Sequence, residues 1–527
     1  MGIYLNPGYV NFKEMISARI YVDKTMMISA VNKLMDEGDK YICMSRPRRF
    51  GKTIASNMFS AYFSKGYDTR ELFAPFKIAQ DSSFVEKLNQ YNVIKIDWNY
   101  EYQKGRKRDN LFERVQETIV EEMIDAFPEV KIREDDFLVD AIQKVYAKTG
   151  ETFVILMDEY DVFIREQVSD DLFSEYLSLL NALFKSDTLR PAISLAYLTG
   201  ILPIVRDKVQ SKLNNFREYT ILDALSFAEY VGFTNEEVKS LCDEYGMDFD
   251  ECRQWYDGYA QHGYEIYNPE SVVMSMIAQR YGNYWNRTSS YEVISDRIRE
   301  DFEGTRECVV RMIAGESVDV NVTAFLNTMN SFRTRNDVFT YLIHLGYLAY
   351  NLEDGTCRIP NREVRNEWIN ALEIDPNYAV TNRIIEASKQ LLADTIAGDT
   401  DAVAHALDES HIHVTSNRSY NNEDALGSAI YLAFIYALND YTCVREMTAG
   451  NGFADMVYIP VHPGNPDRPA MILELKRNDS AESAIDQIRD KQYFKSLEHY
   501  YGQLLFVGID YDEKEKTHTC RMEWFTK

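Results

Sequence analysis

The sequence predicts an α/β protein in three parts. These are a parallel sheet covered by helices (residues 1–225), a mainly helical middle region (226–410) and a small C-terminal α/β domain (411–527). Three observations predict this. Short continuous apolar runs alternate with longer amphipathic stretches over the first part, as in sheets buried on both faces. The middle is rich in Tyr and Trp, with helix-start chemistry. The last hundred residues read as helix, three strands, helix, strand, strand.

Taken in order, strands are expected at 41–45, 93–98, 153–157, 193–198 and 219–222, with amphipathic helices at 111–127 and 171–184 between them. In the middle region Thr234-Asn235-Glu236-Glu237 forms a capping-box pattern, in which a Thr and a Glu three residues apart satisfy each other's backbone donors. Residues 408–422 are polar and read as a linker or domain edge. Beyond them, Leu426, Ile430, Ala433, Phe434 and Ala437 make one helical stripe in 424–438. Strands follow at 441–446, 454–459 and 471–475, then a helix at 481–497, and strands at 503–509 and 518–525.

Composition narrows the function classes. The chain has 527 residues, 45% hydrophobic and 27% charged, which is ordinary for a globular protein. No run of about 18 apolar residues suggests a membrane span. The N-terminus lacks the basic and apolar regions of a secretory signal, and Asn6 rules out a myristoylation pattern at Gly2. Seven cysteines are scattered without a CxxC pair, which fits a reducing, cytoplasmic setting rather than a disulfide framework or zinc site. A net charge of −26 disfavours broad nucleic-acid binding but leaves room for a local basic groove.

Two motifs carry chemistry. The first is Arg46-Pro47-Arg48-Arg49-Phe50-Gly51-Lys52-Thr53, directly after the first strand and before a helix. A loop of this form cradles phosphates with backbone N–H groups at a helix N-terminus. Arg49, Phe50 and Gly51 would line the phosphates, Lys52 would reach the β and γ groups, and Thr53 would hold Mg²⁺. Arg46 stands where such loops usually have Gly, and a side chain there restricts the backbone. The partner motif is the apolar strand ending in Asp158-Glu159. Asp158 would complete the Mg²⁺ shell and Glu159 would activate water as general base. Thr199, at the end of the next strand, would sense the γ-phosphate. Alone, Gly-Lys-Thr or Asp-Glu is weak; each at a strand's C-terminal end is specific, because open α/β sheets place ligands there.

The second motif is Asp455 with Glu474-Leu475-Lys476. Residues two apart on a strand share a face, so Glu474 and Lys476 point together. Two carboxylates on neighbouring strands, Asp455 and Glu474, suit Mg²⁺ or Mn²⁺. Such an ion acidifies bound water and offsets charge on a phosphate, with Lys476 beside it. Glu423 would add a third carboxylate and Gln487 a supporting hydrogen bond. A solvated strand face with a surface ion pair is the plainer alternative.

These residues resemble a known pairing. Tyr21-Val22-Asp23-Lys24-Thr25 with the Arg46–Thr53 loop, then Leu198-Thr199-Gly200-Ile201-Leu202-Pro203, Trp255-Tyr256-Asp257-Gly258-Tyr259 and Tyr267-Asn268-Pro269, are similar to the AAA-ATPase-like family of prokaryotic P-loop ATPases. Asn422-Glu423, Gly452-x-x-Asp455, Glu474-Leu475-Lys476 and Gln487-Ile488 with Tyr493 resemble the PD-(D/E)XK nuclease superfamily. The resemblance implies a P-loop NTPase fold of AAA+ or STAND type followed by a restriction-endonuclease-like fold. It also implies that a loop without its first Gly is normal for the family. Phe453 departs from the Gly-Arg-x-Asp often seen, which questions a phosphate contact but not the metal ligands. AAA+ relatives often share an arginine between subunits, and Arg206 is a candidate; an oligomer is left open.

The expected function is an ATP-binding, hydrolysing protein with an Mg²⁺-dependent nuclease domain. Its substrate would be DNA in preference to RNA, with cleavage gated by nucleotide state, in phage defence or mobile-element control. The alternative is a non-catalytic, nucleotide-dependent switch or scaffold that binds nucleic acid or protein.

Overall fold

The computed structural model describes all residues except 1, 106–109, 205–212, 286–301, 314, 324, 326–331, 375–378, 415–422, 451, 462–466, 501–502 and 526–527. The described residues fall into two units. The first takes those within 1–290, 301–304 and 317–365, and the second those within 305–316 and 366–527.

The first unit is built on five parallel strands: β1 (Tyr41–Ser45), β2 (Asn92–Asp97), β3 (Phe153–Asp158), β4 (Ile193–Gly200) and β5 (Arg217–Tyr219), in the spatial order β2-β3-β4-β1-β5. Every residue of β1 and β3 is buried, which explains their unbroken apolar runs. On one side of the sheet the rings of Trp98, Phe112, Phe163 and Tyr176 interlock with centroids 4.5–5.8 Å apart. Because β4 lies between β1 and β3, the ends of all three strands meet at one edge.

Two boundaries differ from the periodicity. The strand expected at 219–222 ends at Tyr219, because Thr220 Oγ1 accepts the N–H groups of Leu222 and Asp223 (both 3.1 Å) and closes a turn. The one expected at 93–98 ends at Asp97, whose carboxylate accepts the N–H of Tyr100 (3.0 Å) and starts a helix at Trp98.

Helix α1 (Lys52–Phe63) follows β1. Residues 226–365 are mainly helical and include α2 (Asn235–Tyr245) and α3 (Pro269–Ala278). The capping box at Thr234 and Glu237 is formed. Asn268 caps α3 and Pro269 opens it, where a missing N–H costs nothing.

The second unit contains α4 (Glu423–Ala433) and a mixed sheet. Its strands are β6 (Tyr441–Ala449), β7 (Gly452–Pro460), β8 (Ala470–Arg477), β9 (Leu504–Asp512) and β10 (Thr517–Trp524), in sequence order across the sheet. Only β8 and β9 are parallel, and α5 (Ala481–Asp490) is their crossover. The helix expected at 481–497 is shorter: Gln492 turns left-handed (φ 57°), and a 3₁₀ stretch, Tyr493–Tyr500, tucks Tyr493 into the core. The expected linker at 408–422 needs correction. Helix Thr400–Val414 occupies its first half, and Asp408 accepts the backbone N–H of His518 on β10 at 2.7 Å. Residues 408–414 are helical, not a connection; the rest lies outside the described residues. Among the described residues no helix is long and apolar enough to cross a membrane.

Candidate functional site

The loop between β1 and α1 borders a cavity of about 490 Å³, within the range of nucleotide-sized sites, about 300–1,000 Å³. Arg49, Phe50, Gly51, Lys52, Thr53 and Glu159 line one side, and Ile20, Tyr21, Val22, Tyr230, Phe233 and Pro269 supply apolar walls. The loop's left-handed positions are Arg49 (φ 69°) and Gly51 (φ 92°). Arg46 needs no such conformation. Its N–H continues the ladder to Gly200 O (3.0 Å), and its guanidinium is 2% exposed. That group donates to Ser45 O (3.0 Å), Tyr219 O (3.3 Å) and Gln261 Oε1 (3.4 Å). Burial pushes its pKa down to about 10. The side chain thus anchors the loop from behind instead of distorting it.

Other loop residues are held from the helical region of the same unit. Arg49 donates to Tyr284 O (3.1 Å), Phe50 O accepts from Gly232 N (3.1 Å), and the Phe50 ring meets Tyr259 edge-on at 5.3 Å. Tyr259 in turn donates to Gly346 O (2.6 Å). The motif around Tyr259 therefore acts on the loop's shape.

At the strand ends, Lys52 is 4% exposed and folds back onto its own loop, donating to Arg46 O (3.0 Å) and Pro47 O (2.9 Å). Its Nζ is 4.0 Å from Glu159 Oε1. Burial lowers its pKa, while Glu159 and Asp158 oppose that shift. Asp158 is 2% exposed and burial raises its pKa; the hydrogen bond from Thr199 and the nearby Thr53 hydroxyl pull the other way. The structure therefore brings Thr53, Asp158 and Thr199 together beside Lys52. Hydroxyl and carboxylate oxygens are the donors Mg²⁺ takes, so this set fits that ion.

Glu159 follows β3 in a left-handed conformation (φ 52°), which costs a non-glycine residue about 1–3 kcal/mol. Its Oε2 accepts from Arg165 Nη2. Arg165 Nε also donates to Asp161 Oδ2 (3.0 Å), and Asp161 is fully buried. Sequence reasoning missed both residues. The i, i+4 spacing of an acid and an Arg right after the Asp158-Glu159 pair was the available signal. Arg206 lies outside the described residues.

In the second unit, the paired rungs between β7 and β8 stop at Met456 and Leu473. Asp455 and Glu474 come next, where Leu475 N donates to Asp455 Oδ2 (2.7 Å). Glu474 is 2% exposed; burial first, and Asp455 second, push its pKa up to about 7, while Lys476 opposes them. Lys476 Nζ lies 3.4 Å from Glu474 Oε1 and donates to Gln487 Oε1 (2.6 Å). Gln487 Nε2 donates to Glu474 Oε1 and to Tyr493 OH (3.2 Å). Glu474 Oε2 is buried without a hydrogen-bond partner among the described residues. A buried carboxylate oxygen left open next to a second carboxylate fits a hard cation, with water completing the shell. Among the described residues no group of three His, Cys, Asp or Glu forms a ligand set. Glu423 begins α4, but its side chain lies outside the described residues. Phe453 is 63% exposed.

Residues 7–210 match the predicted AAA-ATPase family. Residues 421–520 match the PD-(D/E)XK nuclease superfamily. The AAA-ATPase-like match covers the loop, β3 and β4; the nuclease-like match runs from α4 through β9 into the start of β10. A relative described as an uncharacterized protein in the vnfD 5′ region of Azotobacter chroococcum mcd 1 is 25% identical over 291 residues, 53% of this chain and 52% of that protein. The alignment thus spans about half of the relative's length. Among solved structures, the Aeropyrum pernix ORC2 protein in its ADPNP–ADP complexes is 10% identical with a TM-score of 0.29, over 67% of this chain and 96% of that one. Its ADP form is 9% identical with a TM-score of 0.26, over 67% and 95%.

Proposed function

We propose that the protein binds and hydrolyses ATP in its first unit and cleaves phosphodiester bonds of DNA, in preference to RNA, in its second, with nucleotide state gating cleavage. One observation carries this reading: a single chain holds two separate clusters that each set a lysine beside a buried carboxylate, Lys52 with Thr53 and Asp158, and Lys476 with Asp455 and Glu474.

In the first, Lys52 leaves its loop carbonyls to meet β and γ oxygens, and Thr53 and Asp158 hold Mg²⁺. Thr199 keeps Asp158 oriented, and Glu159 takes the proton from water. Arg49, Phe50 and Gly51 present the loop to the phosphates. In the second, Asp455, Glu474 and, with them, Glu423 hold Mg²⁺ or Mn²⁺, which when bound acidifies water and offsets charge on the scissile phosphate. Gln487 fixes Glu474 and Lys476 in one orientation. Lys476 stabilises the negative charge that builds on the phosphate oxygens. A cytoplasmic setting and a role in phage defence or mobile-element control fit such a pairing by analogy alone.

The test is plasmid cleavage in Mg²⁺ with and without ATP. Nicking by the wild type that Glu474→Ala abolishes supports the reading; no difference between the two proteins removes it. The net charge of −26 favours a second reading, a nucleotide-dependent switch whose C-terminal domain binds without cutting. Mn²⁺ calorimetry separates the two, since a pure binder takes up no ion at Asp455 and Glu474.

A further inference from the structure

Both carboxylate oxygens of Glu159 face a cation, Oε2 on Arg165 Nη2 and Oε1 4.0 Å from Lys52 Nζ. Lys52 is free to leave when phosphates offer better partners, because its other contacts are carbonyls of its own loop. Arg165 is not. It is largely buried, and its Nε is fixed 3.0 Å from Asp161 Oδ2. The same oxygen accepts the backbone N–H groups of Ile201 (3.0 Å) and Leu202 (2.8 Å), the first residues after β4. Tyr160 OH adds a bond to Leu202 O (2.8 Å). Gly200 leaves no slack: a Cβ there would come 2.7 Å from Asp161 Oδ1 and from the Tyr160 ring. Glu159 is therefore tied, through one arginine and one aspartate, to the backbone beyond β4.

We propose that Arg165 is a positioning residue that parks Glu159 away from the attacking water, and that movement of residues 201–204 releases it. This rests on the assignment of Glu159 as general base. The guanidinium occupies one lone pair of Oε2 and sets the carboxylate's orientation, while Oε1 lies 4.0 Å from the ammonium. Departure of Lys52 frees one oxygen only; the second stays with Arg165 for as long as Asp161 keeps its two backbone donors. The end of β4 also carries Thr199, which bonds Asp158. A displacement there reaches the ion-holding carboxylate and the base together, so hydrolysis responds to the position of Ile201 and Leu202.

The experiment is steady-state ATP hydrolysis by the full chain, preceded by calorimetric ATP binding to the wild type. Arg165→Ala raises kcat about three- to tenfold with KM within about twofold of wild type. Arg165→Lys restores the wild-type rate, and adding Glu159→Gln to Arg165→Ala abolishes the gain. The paired variant Asp161→Asn with Arg165→Met removes both charges at once, avoids stranding a buried acid, and shows the same gain. A kcat for Arg165→Ala and for the paired variant that equals wild type, or falls to that of Glu159→Gln, overturns the inference while leaving the nucleotide site standing. Absence of ATP binding by the wild type overturns the nucleotide site itself, and the inference with it.

Discussion

The backbone N–H of Leu475 donates to Asp455 Oδ2 at 2.7 Å, one step past the last paired rung between β7 and β8. The carboxylate replaces the next backbone acceptor, so the strands part there without leaving the N–H unpaired. Asp455 is thereby fixed beside Glu474, whose Oε2 stays open among the described residues. Asp455→Asn and Glu474→Gln should each lower Mg²⁺-dependent plasmid cleavage by about 100-fold or more, read from nicking rates at saturating ion. Both should also abolish Mn²⁺ uptake by this domain.

In the first unit, Lys52 has only loop carbonyls and Glu159 to leave behind. Lys52→Ala should weaken ATP binding by about tenfold or more, because a charge-assisted contact to phosphate is lost. Calorimetric titration checks this, with a thermal melt to show that the fold persists.

Arg46 gives a prediction opposite to its place in the motif. Restoring the usual glycine would remove a buried guanidinium with three acceptors, two of them from other segments. Arg46→Gly should destabilise the first unit by about 2–4 kcal/mol, measured by urea unfolding, instead of improving ATP binding. Those acceptors explain why the side chain's role was not legible: Gln261 lies 215 residues away in sequence.

Glu363 offers a pH test away from either ion site. It is fully buried and accepts the N–H groups of Tyr284 (2.6 Å) and Trp285 (2.8 Å). Burial raises its pKa from 4.5 to about 7, against those bonds, the nearby Ser271 hydroxyl and the charge of Arg49. The folded state therefore holds the proton more tightly than the unfolded chain. Stability is full below pH 4.5, falls as pH rises toward about 7, and changes no further from this group above that. Urea midpoints between pH 4 and 8 should drop for the wild type, by about 3 kcal/mol at most from this group. Glu363→Gln should lessen that drop and leave the part that Glu474 and Asp257 contribute.

Much of the fold was legible because its signals are local. Unbroken apolar runs gave β1 to β4 to within a residue or two, and the Thr234–Glu237 box marked the start of α2. The motif residues Thr53, Asp158 and Thr199 lie together, and so do Asp455, Glu474, Lys476 and Gln487. What escaped notice depends on contacts distant in sequence or on a chain reversal. Asp161 is decided by the N–H groups of Ile201 and Leu202, some forty residues on. Asp408 looked like part of a linker because its partner, His518, lies 110 residues away. The helix from Ala481 stops where Gln492 turns left-handed, which periodicity does not encode.

The central claim is that one chain gathers divalent ions at two separate places against phosphate oxygens. Anomalous diffraction from crystals grown with Mn²⁺ and a non-hydrolysable ATP analogue tests it most directly. Two manganese peaks are expected, one between Thr53 and Asp158 beside the analogue's phosphates and one between Asp455 and Glu474. A map with no peak at the second pair, or with the analogue lying away from Lys52, would contradict it.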